Sequence, residues 1–230
     1  MHIGLIGGIG PASTEFYYRE LVKAHAEAGR KMALTIAHAD AGTLVKNLQA
    51  GQSKAQAQIF ARYIDQLRAG GAEAVAVTSM GGHFCIEDLK EISSLPIIDA
   101  IPEINAHLSE MGVKRIALLG TEAVMESKLY GGLTAVDTVA LPKAELKTIH
   151  NHYIAMAMAV NANDAQKDYF HEIGLKLSQD HGAELILLAG TDLFLAFGDE
   201  DHGYPIIDSA IIHVNSITKA SLNNRATPHS

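Results

Sequence analysis

One cysteine in 230 residues leaves an internal disulfide without a partner. No apolar stretch approaches the roughly 20 residues that a membrane-spanning helix needs. Basic blocks are missing too: the formal net charge of -8 comes from scattered acids, which argues against a nucleic-acid footprint or a basic membrane-binding face. There is no low-complexity linker and no short-period repeat. The partners expected are therefore small molecules or other copies of the chain, in a reducing, cytoplasmic setting. The opening MHIGLIGG holds only a few apolar residues with no positive segment before them, so it reads as a first strand rather than a signal peptide.

What is present is a regular alternation in a chain that is 48% apolar. Short β-rich runs are each followed by a segment of helical period: HIGLIG then 12–29, MALTIAHA then 53–70, AEAVAVTS then 84–93, LPIIDA then 102–111, RIALLG then 122–133. A strand near TVAL then precedes helices at 143–159 and 164–181, AELILLAG follows, and YPIIDS leads into 209–220. This rhythm predicts parallel α/β sheets covered on both faces, which is why the strands are nearly all apolar. Two runs share one grammar. AEAVAVTSMGGH and AELILLAGTDLF each follow Gly-Ala, and LPIIDA resembles YPIIDS. The spacing thus predicts two related halves, each presenting a strand end to a common cleft. The tail NNRATPHS reads as frayed.

Three turns carry candidate chemistry. GLIGGIGPAST joins a strand to a helix with Pro11 at the first helical turn, and such turns bring backbone N–H groups to an anion. A dinucleotide fingerprint fails there, because Ser13 stands where a third glycine is needed and Asp40 comes too late in the chain. Gly10, Ser13, Thr14 and Asp40 remain as candidate substrate-binding residues. At VAVTSMGGHFCIED, Ser79 ends a strand, Gly81 and Gly82 turn the backbone, and His83 has the chemistry of an acid or base near neutrality. Cys85 reads as a small buried hydrophobe inside the following helix start, with acids Glu87 and Asp88 capping it. AGTDLF presents Gly190, Thr191 and Asp192, the last as a base or a helix-start acid. The loop GDEDHGYP supplies His202, but its consecutive acids lack the spacing that aims ligands at one ion, so no metal site is expected. HNH at 150–152 is read as surface.

The pieces GLIGGIGPASTEFYYREL, HADAGTL at 38–44, TSMGGH, ALLGTEAVMESKLY at 117–130, LLAGTDL and PIIDSAIIH at 205–213 resemble, in order and across nearly the whole chain, the aspartate/glutamate racemase superfamily. Its broad aspartate/glutamate racemases are the most similar subgroup, by GT-x-x-x-M-E-x-x-x-Y. The resemblance implies two pseudo-symmetric lobes, each a parallel sheet flanked by helices, with the active-site cleft between them. The lobes are expected at 1–98 with 206–230, and at 99–205. It also implies a homodimer, no cofactor (PLP-independent chemistry), a small carboxylate or amino-acid-like ligand, and Thr121 among the binding residues. Family members place one cysteine on each side of the substrate α-carbon. Here the first motif, Cys-Asn-Thr-x-His, aligns with Ser79-Met80-Gly81-Gly82-His83, and the second, Gly-Cys-Thr-Glu, with Ala189-Gly190-Thr191-Asp192. Both thiols are gone, the carboxylate-gripping Asn and Thr have become Met80 and Gly81, and Cys85 aligns with neither position. A subset of the family works with Thr at the first position but retains the second cysteine.

Three readings follow. The first is an enzyme of racemase ancestry using single-base isomerase, lyase or hydrolase chemistry, with Ser79, His83, Asp192 and His202 as its catalytic candidates. The second is a silent binder of small metabolites. The third is a slow racemase using Ser79 or Cys85.

Overall fold

The computed structural model describes residues 1–8, 10–198 and 201–223. Asp199 and Glu200 of the GDEDHGYP loop, and most of the tail read as frayed, lie outside the described residues. The chain divides into two compact units, one formed by Met1–Asp99 with the C-terminal part from His213, the other by Ala100–Ile212.

The first unit is built on a three-stranded parallel sheet, order β2-β1-β3, from β1 (His2–Gly7), β2 (Ala33–His38) and β3 (Ala74–Val77). Helices α1 (Pro11–Glu27), α2 (Ala41–Gln49), α3 (Ser53–Ala69) and α4 (Ile86–Ile92) belong to this unit. β3 is buried at every position, whereas β2 mixes half-buried and exposed residues. Ile3, Leu5, Ile6, Phe60 and Ile64 are fully buried; sequestering each such side chain contributes about 1.5–3 kcal/mol.

The second unit holds a four-stranded parallel sheet, order β5-β4-β6-β7, from β4 (Arg115–Leu119), β5 (Asp137–Thr138), β6 (Leu185–Leu188) and β7 (Ile206–Asp208). Its helices are α5 (Ala100–Met111), α6 (Glu122–Glu126), α7 (Lys143–Ala159), α8 (Asp164–Gln179) and α9 (Phe194–Phe197), and α10 (Ser209–Asn223) carries the chain from the second unit into the first. These are the two helix-flanked parallel sheets that the alternation predicts.

The internal doubling extends to individual hydrogen bonds. In the first unit the Val75 N–H donates to the Pro96 carbonyl at 3.0 Å; in the second the Ile186 N–H donates to the Pro205 carbonyl at 2.9 Å. The Thr78 N–H donates to Ile6 at 3.1 Å, and the Ala189 N–H to Leu119 at 2.8 Å. Ser79 and Gly190 therefore hold equivalent places, one residue beyond these bonds.

The structure differs from expectation at four points. LPIIDA makes only a single bridge, Val75 with Ile97, not a strand. YPIIDS does form β7, and because β7 pairs with β6, residues 206–212 group with the second unit rather than the first. A helix, α2, lies at 41–49 where none was singled out. The helix expected over 122–133 stops at Glu126, because Lys128, Leu129 and Tyr130 take left-handed conformations with φ of 53°, 52° and 57°. Each such residue costs about 1–2 kcal/mol. The turn offsets that cost with its own bonds: Ser127 Oγ donates to the Ala123 carbonyl at 2.5 Å and accepts the Tyr130 N–H at 2.9 Å, while the Leu129 N–H reaches Val124 at 3.0 Å.

Candidate active-site residues

At the end of β3 the chain enters a 3-10 turn, Met80–Cys85, before α4. That tight winding brings His83 back over the strand end, so that its Nδ1 lies 2.7 Å from the Ser79 carbonyl. A carbonyl only accepts, so the proton sits on Nδ1 and Nε2 carries the lone pair. Nε2 is buried without a hydrogen-bond partner among the described residues and stands 3.7 Å from Asp99 Oδ1. Burial lowers the His83 pKa, against the opposing pull of the Asp99 carboxylate, and the neutral form is favoured. Asp99 is in turn held by Lys90 Nζ at 2.7 Å.

Behind His83 stands His213, edge-on with ring centroids 5.9 Å apart. Its Nε2 lies 2.8 Å from the Ile98 carbonyl and its Nδ1 3.0 Å from the Tyr17 hydroxyl. The carbonyl accepts a hydrogen bond from Nε2–H, so Tyr17 donates to Nδ1. Burial, joined by the nearby His83, pushes the His213 pKa down to about 3, which keeps a second charge away from His83.

Cys85 is fully inside the fold, its Sγ donating to the Gly82 carbonyl at 3.4 Å. Burial raises the thiol pKa to about 12. A thiolate is the reactive form, and at neutral pH this sulfur is not one.

In the second unit Gly190, Thr191 and Asp192 follow β6, and all three are buried. The Thr191 side chain is buried beside the Tyr153 hydroxyl, on which it acts by hydrogen bonding. Tyr153, from the buried stripe Leu146, Ile149, Tyr153 and Met156 of α7, donates its hydroxyl to Asp192 Oδ2 at 3.1 Å. At the end of β7, Asp208 Oδ1 accepts the Ala210 N–H at 2.7 Å. Burial, aided by the Asp192 charge and opposed by the Ala210 and Ile211 N–H groups, pushes the Asp208 carboxyl up to about 7.

This shift has a consequence for stability. A carboxyl whose folded pKa lies above its unfolded value of 3.8 contributes stability that is complete below about pH 4 and is lost as pH rises through about 7. Asp208→Asn is accordingly expected to raise Tm by a few degrees at pH 8 and to change it little at pH 4, checked by thermal melts across that range.

The remaining expected site residues make the following local bonds. Gly10 is the N-cap of α1, and Ser13 Oγ donates to the Thr78 carbonyl at 2.5 Å. Thr14 Oγ1 accepts the Gly8 N–H at 2.9 Å and donates to the Gly10 carbonyl at 3.1 Å, folding the glycine turn on itself. Asp40 is exposed and caps α2 by accepting the Thr43 N–H at 2.6 Å; the Thr43 hydroxyl, followed by this N–H, lowers its pKa. Thr121 caps α6 through the Val124 N–H at 3.3 Å. Met80 and Gly82 are buried and Gly81 is half-buried at the end of β3.

His202 lies elsewhere in the second unit. It bonds the Phe197 carbonyl through Nε2 at 2.8 Å, meets His171 Nδ1 at 3.3 Å, and shares an aromatic cluster with Phe197 and Tyr204. The HNH stretch, read as surface, is partly packed: His150 Nδ1 accepts the Glu122 N–H and His152 stacks on Tyr169 at 3.8 Å.

Asp99, Lys90, His213, Tyr153 and Asp208 escaped sequence reasoning. A signal existed for two of them. Asp99 and Asp208 close the duplicated PIID segments, and a carboxylate repeated at equivalent chain positions marks the same place in each half.

A family model described as Asp/Glu/Hydantoin racemase matches residues 6–217. Among solved structures, a candidate Asp/Glu racemase from Yersinia pestis is 22% identical with a TM-score of 0.82, covering 96% of this chain and 100% of that one. An aspartate racemase homologue from Pyrococcus horikoshii is 24% identical with a TM-score of 0.76, covering 96% and 99%. Glutamate racemase from Francisella tularensis, in complex with D-glutamate, is 13% identical with a TM-score of 0.64, covering 97% and 81%. At these identities the likeness establishes the fold, and the match over residues 6–217 places the chain in the Asp/Glu/hydantoin racemase family.

Proposed function

We propose that this protein is an enzyme that works on the α-carbon of a small carboxylate or amino-acid-like substrate with one base, His83, instead of two thiols. The observation that carries the reading is the state of His83: its tautomer is set by the Ser79 carbonyl, its Nε2 lone pair is without a hydrogen bond among the described residues, and Asp99 lies 3.7 Å away to stabilise the imidazolium. The sulfur chemistry of its relatives has no equivalent support here, since Ser79 and Gly190 stand at the two thiol positions and Cys85 is held as a buried thiol.

In this reading Nε2 takes the α-proton. The C–H electron pair stays on the substrate and is delocalised into the neighbouring carboxyl group. Return of a proton by the imidazolium to the α-carbon regenerates the substrate with solvent exchange, and return to another carbon of an unsaturated substrate is isomerase chemistry. Expulsion of a β-substituent by the carbanion is lyase chemistry, and all three begin with the same abstraction. The enzyme is cofactor-independent and homodimeric in this proposal, as the family resemblance implies, and cytoplasmic, in line with its cysteine usage.

The test is α-deuterium incorporation from deuterated water into a panel of small amino acids, hydroxy acids and cyclic carboxylates. Cys85→Ser is expected to keep exchange within about two-fold of wild type, since a thiol at pKa about 12 is nearly all protonated at neutral pH. Loss of exchange with that single sulfur would return the protein to cysteine chemistry. Thermal stabilisation by panel members with no exchange or turnover would make it a silent binder.

A further inference from the structure

The Asp99 carboxylate is divided between two neighbours. Lys90 Nζ holds Oδ2 at 2.7 Å, while Oδ1 stands 3.7 Å from His83 Nε2, beyond hydrogen-bond length. The longer contact follows from the tautomer. With the His83 proton on Nδ1 at the Ser79 carbonyl, Nε2 turns a lone pair toward a carboxylate oxygen, and two acceptors repel. Uptake of a proton reverses that contact, because an imidazolium N–H donates to a carboxylate at about 2.7–2.9 Å.

A buried carboxylate needs a donor. The Asp99 side chain is 8% exposed, and His83 would supply that donor by taking a proton from water at Nε2. Lys90 meets the need first. From α4 its ammonium reaches Asp99 and also Glu87, each at 2.7 Å; the Glu87 side chain is 82% exposed, so its pull is screened by solvent. Burial opposes the charge on Lys90, but the bonds to Asp99 and Glu87 raise its pKa and keep it an ammonium. From α10, His213 meets the edge of the His83 ring, neutral and bonded to Tyr17 of α1. Lys90 and His83 therefore compete for one carboxylate.

We propose that Lys90 is a positioning residue: by holding Asp99 Oδ2 it keeps that carboxylate from closing on His83, which leaves Nε2 open to take its proton from substrate rather than from water. The proposal rests on the single-base reading above for the reaction it serves, and it lies wholly within the first unit.

The test follows the His83 ring by imidazole nitrogen NMR across pH, alongside the acid limb of the pH profile for α-deuterium exchange. The proteins are wild type, Lys90→Met, Lys90→Arg, Asp99→Asn and Asp99→Asn with Lys90→Met. Methionine keeps most of the stem and removes the charge. Lys90→Met is expected to move both the His83 midpoint and the acid limb up by about one pH unit, the size of shift a carboxylate produces when it closes on a titrating group. Exchange below the limb then falls about 10-fold, while the alkaline plateau stays within about two-fold of wild type. Lys90→Arg should stay near wild type. In the Asp99→Asn protein, Lys90→Met should move the midpoint less than about half as far, since no carboxylate is left to release. An unmoved midpoint in Lys90→Met, or an equal movement with and without the Asp99 carboxylate, would overturn the proposal, and His83→Gln would still decide the single-base reading by itself. A midpoint that moves while the acid limb of exchange stays put would overturn the single-base reading and uphold the hold of Lys90 on Asp99.

Discussion

His83→Gln is expected to lower α-proton exchange about 10³-fold, the range a positioned general base supplies, while leaving the fold intact. Glutamine can keep a donor near the Ser79 carbonyl, so the strand end and its 3-10 turn retain a hydrogen bond that His83 makes at 2.7 Å. What it cannot do is accept a proton near neutrality. Asp99 then faces an amide in place of a titratable ring, and the Lys90 ion pair with Asp99, at 2.7 Å, is left to balance that carboxylate. The measurement is deuterium exchange in the two proteins at matched Tm. Exchange within about three-fold of wild type would remove His83 from the chemistry, since loss of a general base costs 10²-fold or more.

Gly190→Cys restores on paper the second thiol of the racemase motif, and it is expected to cost about 1–3 kcal/mol without producing racemisation of aspartate or glutamate. The reason is steric. The new Cβ would sit 2.4 Å from the Tyr153 ring, which is anchored by its bond to Asp192 and by the buried face of α7. For a chain of this size that cost corresponds to roughly 2–12 °C in Tm. Combining it with Tyr153→Ala should give a destabilisation smaller than the sum of the two single variants by about 1–3 kcal/mol, the size of coupling seen between residues in contact. Additive losses, or a stable Gly190→Cys protein that racemises either amino acid, would show that the ring moves aside and that position 190 is open to a side chain.

The parts of the molecule legible in the sequence are those that local pattern controls. β3 and β6 announce themselves as short apolar runs because a strand buried on both faces excludes polar residues at every position. The doubling of PIID was visible too, but its outcome was not: the same letters form β7 beside β6 and only an isolated bridge beside β3. The left-handed run at Lys128, Leu129 and Tyr130 left no mark, since no glycine announces it until Gly131 and the bonds that hold it come from Ser127, Val124 and Ala123. Ser13, Thr14, Asp40 and Thr121, which the sequence offers as groups for a substrate, also bond turns and helix starts in the fold. Short polar side chains at strand-to-helix turns suit both uses, and composition does not separate them.

The amino-acid sequence by itself determined the parallel α/β architecture, the two-fold repetition and the absence of cysteine from both strand-end positions, because each follows from residue type and short-range spacing. Tertiary structure decided which nitrogen of His83 carries the lone pair, that Asp99 faces it, that Asp208 is held near neutrality, and that Tyr153 occupies the ground beside Gly190. The first comes from a 3-10 turn that brings His83 back onto a carbonyl four residues earlier, and the others from residues of different elements meeting in a close-packed, low-dielectric interior, where a single contact sets protonation and available volume.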